Sequence, residues 1–263
     1  MTPEDLFPAP SVAREIDREL FLLLGGPAAL LMQVAHPLVA AAVADHSSFR
    51  EDPFGRLHRT LNTTLAVVFA YPAGARRALR RIDGRHGTVE GVASDGRGYR
   101  ARDPRLLLWV QSTLVLTSLR PYELVIGPLA ADRRNSYWDE TKPIARALGV
   151  PPSLVPGTIA ALERFEREML ASEVRPDVTS RAVARSVLRP VPWAPGALHG
   201  PIDVLAAGLL PAELRAALGL RWRRRERVLF RAMIAAVRVA RRVLPRGLAA
   251  VPQARRFERR RAR

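Results

Sequence analysis

The stretch from Leu20 to Ala44 constrains the fold most, because it runs for 25 residues without a formal charge. That length is sufficient for a transmembrane helix. However, Gly25-Gly26-Pro27 and His36-Pro37 interrupt the stretch, and proline breaks the hydrogen-bond ladder of a helix. The helical pieces that remain are too short to cross a bilayer. We therefore predict that this segment forms part of the buried core of a globular protein.

Apolar side chains recur at three- and four-residue spacing along most of the chain, which is typical of amphipathic helices. One such stripe includes Leu79 and Ile82 and reaches His86, and Gly87 follows it. His86 is therefore predicted to lie in the last turn of a helix or just beyond it. Asp95-Gly96 separates two short apolar runs and predicts a β-hairpin. The predicted fold class is all-α with one short β-hairpin.

A proline-rich connection begins at residue 190 and divides the chain. We predict a helical body over residues 1–189 and C-terminal helices over 190–244 that pack on the same domain. The longest of these helices is expected over Trp222–Leu244. Residues 245–263 are rich in arginine and have few apolar side chains, so a basic disordered tail is expected there.

The net charge of +17 is unevenly distributed along the chain. Residues 1–175 contain 22 basic and 20 acidic groups, whereas 176–263 contain 20 basic and 5 acidic groups. The predicted C-terminal helix has an apolar stripe through Leu229, Met233 and Val237, with Arg231 and Arg238 on another face. Three interpretations remain open: a surface helix packed on the body, peripheral contact with an anionic membrane, or nucleic-acid binding. Nucleic acid is the least favoured, since neither interleaved aromatic residues nor a helix-turn-helix pattern accompanies the arginines.

The chain has no cysteine, which excludes disulfides, thiolate metal sites, thiol nucleophiles and covalent c-type haem attachment. Any cofactor must be bound by nitrogen or oxygen donors, and the chain contains five histidines. Asp45-His46 is interpreted as a helix-end cap, with half of a metal site or a base–orienter pair as alternatives. The first twenty residues lack a basic n-region, so a secretory signal is not expected and a cytoplasmic location is predicted.

Arg56, Arg59 and Thr60 are predicted to share one face of a helix. Two guanidiniums and a hydroxyl on one face can clamp carboxylates or phosphates, while the alternative is a solvated basic face. His86, in an apolar stripe, is either a hydrogen-bonded core residue or a ligand.

A series of short motifs resembles a haem-binding oxygenase family, that of bacterial latex-clearing proteins (rubber oxygenases) and of the membrane-bound oxygenase of fungal mycophenolic-acid synthesis. The resemblance covers about residues 12–240. In chain order the motifs are His36-Pro37-Leu38-Val39, His46-Ser47, Asp52-Pro53, Arg56-Leu57-x-Arg59-Thr60, His86-Gly87-x-Val89-x-Gly91, Tyr99-x-Ala101-x-Asp103-Pro104 and Trp109-Val110.

The resemblance implies an all-α, globin-like core around a non-covalent haem b. It makes His86 the proximal iron ligand, and it places Arg56, Arg59 and Thr60 on the opposite side of the haem as catalytic or propionate-binding residues. The implied reaction is O₂ activation and oxidation or cleavage of a small apolar, unsaturated substrate. The alternative is a non-catalytic helical protein that docks on membrane or nucleic acid through its basic C-terminal third.

The chain departs from latex-clearing proteins at two positions of these motifs. Arg59 stands where those proteins have an iron-ligating lysine, and a protonated guanidinium has no lone pair to donate. The distal position is therefore expected to be open, water-bound, or taken by His36 or His58, with His36 alternatively a core residue. Gln111 stands where many bacterial relatives have histidine. These differences argue against polyisoprene cleavage and leave haem binding intact.

Overall fold

The computed structural model describes residues 7, 9–47, 62–189 and 199–261. The N-terminal helices are α1 Val12–Asp17, a 3₁₀ helix Leu20–Gly25, α2 Gly26–Val34, α3 Pro37–His46, α4 over 62–68 and α5 Pro72–His86. The hairpin strands β1 Glu90–Val92 and β2 Gly98–Arg100 follow. The remaining helices are α6 Pro104–Val125, α7 Ala131–Ala147, α8 Ile159–Ser172, α9 Val178–Leu188, α10 Gly200–Leu209, α11 Ala212–Ala217, α12 Arg224–Val243 and α13 Pro252–Arg261. The predicted all-α class with one short hairpin is confirmed.

Helix α6 is the central element, and α2, α7, α8 and α12 pack around it. Asp103 caps its N-terminus by accepting hydrogen bonds from the backbone N–H groups of Arg105 and Leu106 at 2.8 and 3.1 Å. Trp109 and Leu119 of α6 are fully buried. Burial of a large apolar side chain stabilises a fold by roughly 1.5–3 kcal/mol, so this helix contributes strongly to the core.

The uncharged stretch from Leu20 to Ala44 forms the 3₁₀ helix, α2 and most of α3. Its predicted position in the core is confirmed. Eight of the nine residues of α2 are buried. Among the described residues, no single helix is both long and apolar enough to cross a bilayer. The pair Leu20–Val34 and Pro37–His46 meets the length and composition of a span only when taken together, and it bends by 105° at His36-Pro37.

The hairpin packs on α3. Its strands pair antiparallel, with Gly91 opposite Tyr99, and Gly96 in the turn has a positive φ of 83°. The Tyr99 hydroxyl donates to a carboxylate oxygen of Asp45 at 2.5 Å. A Cβ at Gly91 would lie 2.5 Å from that hydroxyl oxygen, so only glycine permits this approach.

The predicted disorder of 245–263 is wrong for the described part of that tail, because Pro252–Arg261 is helix α13. Ala254 and Phe257 of α13 are buried. Backbone hydrogen bonds also fasten the preceding residues, since Leu20 N–H donates to Ala249 O and Val251 N–H donates to Arg18 O, both at 2.8 Å. A few apolar side chains with helical spacing therefore suffice to dock this basic segment.

Helix α9 lies at the end of the predicted helical body, and α10 lies within the predicted C-terminal helices. The Asp177 side chain is the local signal for α9, because its carboxylate accepts a hydrogen bond from Ser180 N–H at 2.6 Å in an N-cap. Helix α10 packs on α2 and α12, and α12 also packs on α6.

Candidate active site

His86 is the last residue of α5, as its position in the apolar stripe predicts. Its Nδ1 atom is buried and has no hydrogen-bond partner among the described residues. A buried polar atom without a partner costs about 1–3 kcal/mol and calls for an explanation. Burial lowers the pKa of the imidazole, and the Arg102 guanidinium lowers it further against the opposing charge of Asp83. His86 is therefore neutral at physiological pH, the state in which an imidazole nitrogen can bind a metal.

The His86 cavity, which this side chain lines, has a volume of about 510 Å³. Such a volume lies within the range of roughly 300–1,000 Å³ that is usual for cofactor and ligand sites. Helices α4 to α7 and the residue after α7 supply its apolar wall. The apolar lining residues are Val67, Ile82, Leu107, Val110, Leu114, Ile144 and Leu148.

Among the described residues, polar side chains make up the other half of the cavity lining: His46, Ser47, Thr63, Thr64, Arg85, His86 and Gln111. Arg85 lines it beside His86 and offers a guanidinium to an anionic group at the rim. Gln111 lies on the opposite helix, α6, and its Nε2 donates to the carbonyl oxygen of Thr141 at 3.4 Å. An aliphatic wall, the neutral imidazole of His86 and the Arg85 guanidinium suit a flat apolar cofactor that carries carboxylates.

His46 also lines the His86 cavity, although its preferred interpretation from sequence is a helix-end cap. It is the last residue of α3, and its Nε2 lies 3.0 Å from the backbone oxygen of Glu90 in β1. When Nε2 carries the proton and donates to this oxygen, Nδ1 retains its lone pair. No local signal reveals this placement, because it depends on the hairpin that folds back onto α3.

His36 lies elsewhere in the fold, fully buried at the N-terminus of α3. Its Nδ1 accepts a hydrogen bond from Leu38 N–H at 3.2 Å, and its Nε2 lies 3.5 Å from a carboxylate oxygen of Glu173. Burial lowers its pKa, and the Glu173 contact opposes that effect. Both ring nitrogens have partners, so the arrangement favours the core-residue alternative over the sixth-ligand alternative.

The predicted distal residues Arg56, Arg59 and Thr60, together with His58, lie outside the described residues. Of the sequence-predicted site, the structure thus places His86 and Gln111 on one cavity and His36 apart from its described lining.

A smaller cavity of about 80 Å³, the Asp17 cavity, shares Thr64, Gln111, Leu114 and Ile144 with the lining of the His86 cavity. Burial raises the pKa of Asp17 to about 7, opposed by the hydrogen bond from Tyr137 and assisted by the charge of Glu140. Tyr137 donates this hydrogen bond at 2.8 Å. A carboxyl group with a pKa near 7 therefore lines a cavity that adjoins the His86 cavity. Nothing in the local sequence signals this placement of Asp17.

Within the described ranges, no group of three or more histidine or carboxylate side chains could hold a metal ion. Haem requires only one imidazole donor from the protein, because the porphyrin supplies the other four ligands of its iron. The neutral imidazole of His86 and the cavity volume fit that group.

Comparison with known proteins identifies the family of the chain. The family model "ER-bound oxygenase mpaB/B'/Rubber oxygenase, catalytic domain" matches residues 13–239. Two relatives are uncharacterised proteins of Mycobacterium bovis and Mycobacterium tuberculosis. Each is 29% identical over 227 residues, which cover 83% of this chain and 89% of the relative. The chain therefore belongs to the mpaB/rubber oxygenase family and carries its oxygenase catalytic domain.

Proposed function

We propose that the protein is a haem b-dependent oxygenase in which His86 is the proximal ligand of the iron. It uses O₂ to oxidise or cleave a small apolar, unsaturated substrate. The observation that carries the proposal is the neutral imidazole of His86 beside an aliphatic wall, in a cavity of cofactor size. The oxygenase family of the chain supports the reaction class.

His86 has the properties that an iron ligand needs. It is held at the end of a fifteen-residue helix, so its position is set by the packing of Ala75, Ala78 and Leu79 in the core. Because burial lowers its pKa, the ring does not have to lose a proton before it binds. When bound, haem iron supplies the binding and activation of O₂.

The other residues of the His86 cavity would exclude water and orient the bound molecules. Its aliphatic wall removes water and accepts an apolar substrate. Arg85 is placed to pair with a carboxylate at the rim. Arg56, Arg59 and Thr60 have distal or propionate-binding roles in this proposal, on the strength of the family motif alone.

The test is the absorption spectrum of the purified protein after reconstitution with haem. We expect a Soret band and one haem per chain, and we expect His86→Ala to lose most of the haem. His36→Asn serves as a control, since it removes a buried imidazole that has other partners. If the wild type binds no haem, or if His86→Ala binds as much as the wild type, the proposal is wrong.

A further inference from the structure

Helix α12 is fastened to the body along one face. Phe230 and Ile234 on that face are buried, and Gly208 of α10 lets the Phe230 ring approach closely. Arg241 binds both carboxylate oxygens of Glu19, at 2.5 and 2.9 Å, and Arg238 donates to the backbone oxygen of Leu124 at 2.8 Å. These contacts fix which residues of α12 face outward.

From Val228 onward the outward face of α12 is apolar, whereas the exposed Arg225 lies on that side of its first turn. Val228, Val239 and Val243 are 58%, 60% and 73% exposed, and exposed alanines at 232, 235 and 236 lie between them. At 100° per residue these side chains form one strip on the side opposite Phe230 and Ile234. We call it the valine strip. Solvent exposure of such a strip along a whole helix indicates contact with another apolar medium.

A row of arginines borders the valine strip. Arg224, Arg231 and Arg242 are exposed and lie at a similar angle around the helix, between the strip and the buried face. The described segment 221–261 contains 15 arginines and only two glutamates. Glu226 is engaged in the N-terminal cap and Glu258 pairs with Arg18, so the row itself is not neutralised by them.

The positive charge of the arginine row distinguishes between the possible binding partners of this surface. In a dimer formed through this surface, the two arginine rows would lie close together and repel each other. Nucleic acid would pair with the arginines, but its phosphates offer no apolar surface to the valines. An anionic bilayer satisfies both features, since headgroup phosphates pair with guanidiniums while aliphatic side chains enter the acyl boundary.

We propose that α12 docks the protein on an anionic lipid membrane. The helix lies in the plane of the interface, with the valine strip inserted and the arginine row on the headgroups. This property is independent of haem binding, and it would bring the enzyme to a surface in which apolar substrates dissolve.

The first experiment measures co-sedimentation of the full chain with two kinds of vesicle. One kind consists of phosphatidylcholine alone, and the other contains equal parts of phosphatidylcholine and phosphatidylglycerol. We expect binding to the second kind only. The double variants Val239→Glu/Val243→Glu and Arg231→Glu/Arg242→Glu should each weaken binding by more than about tenfold.

Two matched controls lie on α9, away from this surface. Val178→Glu alters a valine that is 71% exposed, and Arg181→Glu alters an exposed arginine. Both should bind vesicles like the wild type. Because all the altered side chains are exposed, circular dichroism should show an unchanged helical content in every variant.

A second measurement reports on insertion itself. Because the chain has no cysteine, Val239→Cys can be labelled with an environment-sensitive fluorophore, and Val178→Cys provides the control. Anionic vesicles should shift the emission of the label at 239 to the blue and leave that at 178 unchanged. Three results would overturn the proposal: no binding to anionic vesicles, wild-type binding by Val239→Glu/Val243→Glu, or binding to duplex DNA but not to vesicles. A dimer that dissociates in that variant, without vesicle binding, would likewise assign the strip to a second copy.

Discussion

Tyr137 donates its phenolic hydrogen to the carboxylate of Asp17 across 2.8 Å, and both side chains are buried. The pair joins the end of α1 to the middle of α7 beside the Asp17 cavity. Because burial outweighs this hydrogen bond, the pKa of Asp17 is raised from 3.8 to about 7. Asp17 therefore makes the stability of the fold depend on pH.

Asp17→Asn should stabilise the protein at neutral pH. The unfolded chain releases the Asp17 proton near pH 4, whereas the folded chain keeps it until about pH 7. Stability contributed by this group is therefore lost as the pH rises between these values, and the loss is complete above them. The difference between the two pKa values corresponds to roughly 4 kcal/mol, an upper bound for the gain in the variant. Urea unfolding from pH 5 to 8 should show the advantage of the variant increasing with pH, and parallel curves would contradict the assignment.

His36→Asn should destabilise the protein by about 1–3 kcal/mol at pH 8, because it removes a buried ring and its contact with Glu173. Asparagine can still accept the N-cap hydrogen bond from Leu38 N–H. Burial lowers the pKa of His36, so the unfolded wild-type chain gains a proton before the folded one as the pH falls below 6.5. The wild type then loses stability that the variant keeps, and the difference in unfolding free energy should shrink at pH 5. A difference that grows at low pH would show that His36 is charged in the fold.

Gly208→Ala should loosen α12 from the body. A Cβ at this position would lie 2.2 Å from the Phe230 ring, which cannot move without disturbing its contact with Trp222 at 5.6 Å. We expect a loss of about 1–3 kcal/mol in thermal or urea unfolding. The double variant Gly208→Ala/Phe230→Leu should lose less unfolding free energy than the sum of the losses in the two single variants. Gly84→Ala is the control, because no neighbouring atom of the described segments lies within 4 Å of the added Cβ. This change should stabilise α5 by about 0.5–1 kcal/mol. Equal effects of the two glycine changes would contradict the close packing.

The parts of the fold that were predictable depend on local pattern. Helical spacing and Gly87 place His86 at a helix end, and Asp95-Gly96 produces the hairpin, because neighbouring residues determine both features. The burial of the segment from Leu20 to Ala44 is predictable in the same way, because the segment has no formal charge and is interrupted twice by proline.

The failures concern contacts between distant segments. Phe257 packs against Phe69 and under the Arg14 guanidinium, which lies 4.4 Å from its ring centre, so α13 is held by residues far from it in the chain. Local composition shows only a basic tail there. The placement of His46 and Asp17 at the two cavities likewise depends on tertiary packing, which brings residues of several helices to one wall.

The His86 cavity can be tested by filling it. Val110 lines it from α6 and is only partly buried, so a larger side chain has room to extend inward. We expect Val110→Trp to fold normally and to lose most of its haem, because an indole occupies the space that the cofactor needs. Val178→Trp, at an exposed site on α9, should retain haem like the wild type. The Soret absorbance and far-ultraviolet circular dichroism of both variants measure loading and folding separately. Full loading in a folded Val110→Trp variant would place the cofactor outside this cavity, even if His86→Ala abolished binding.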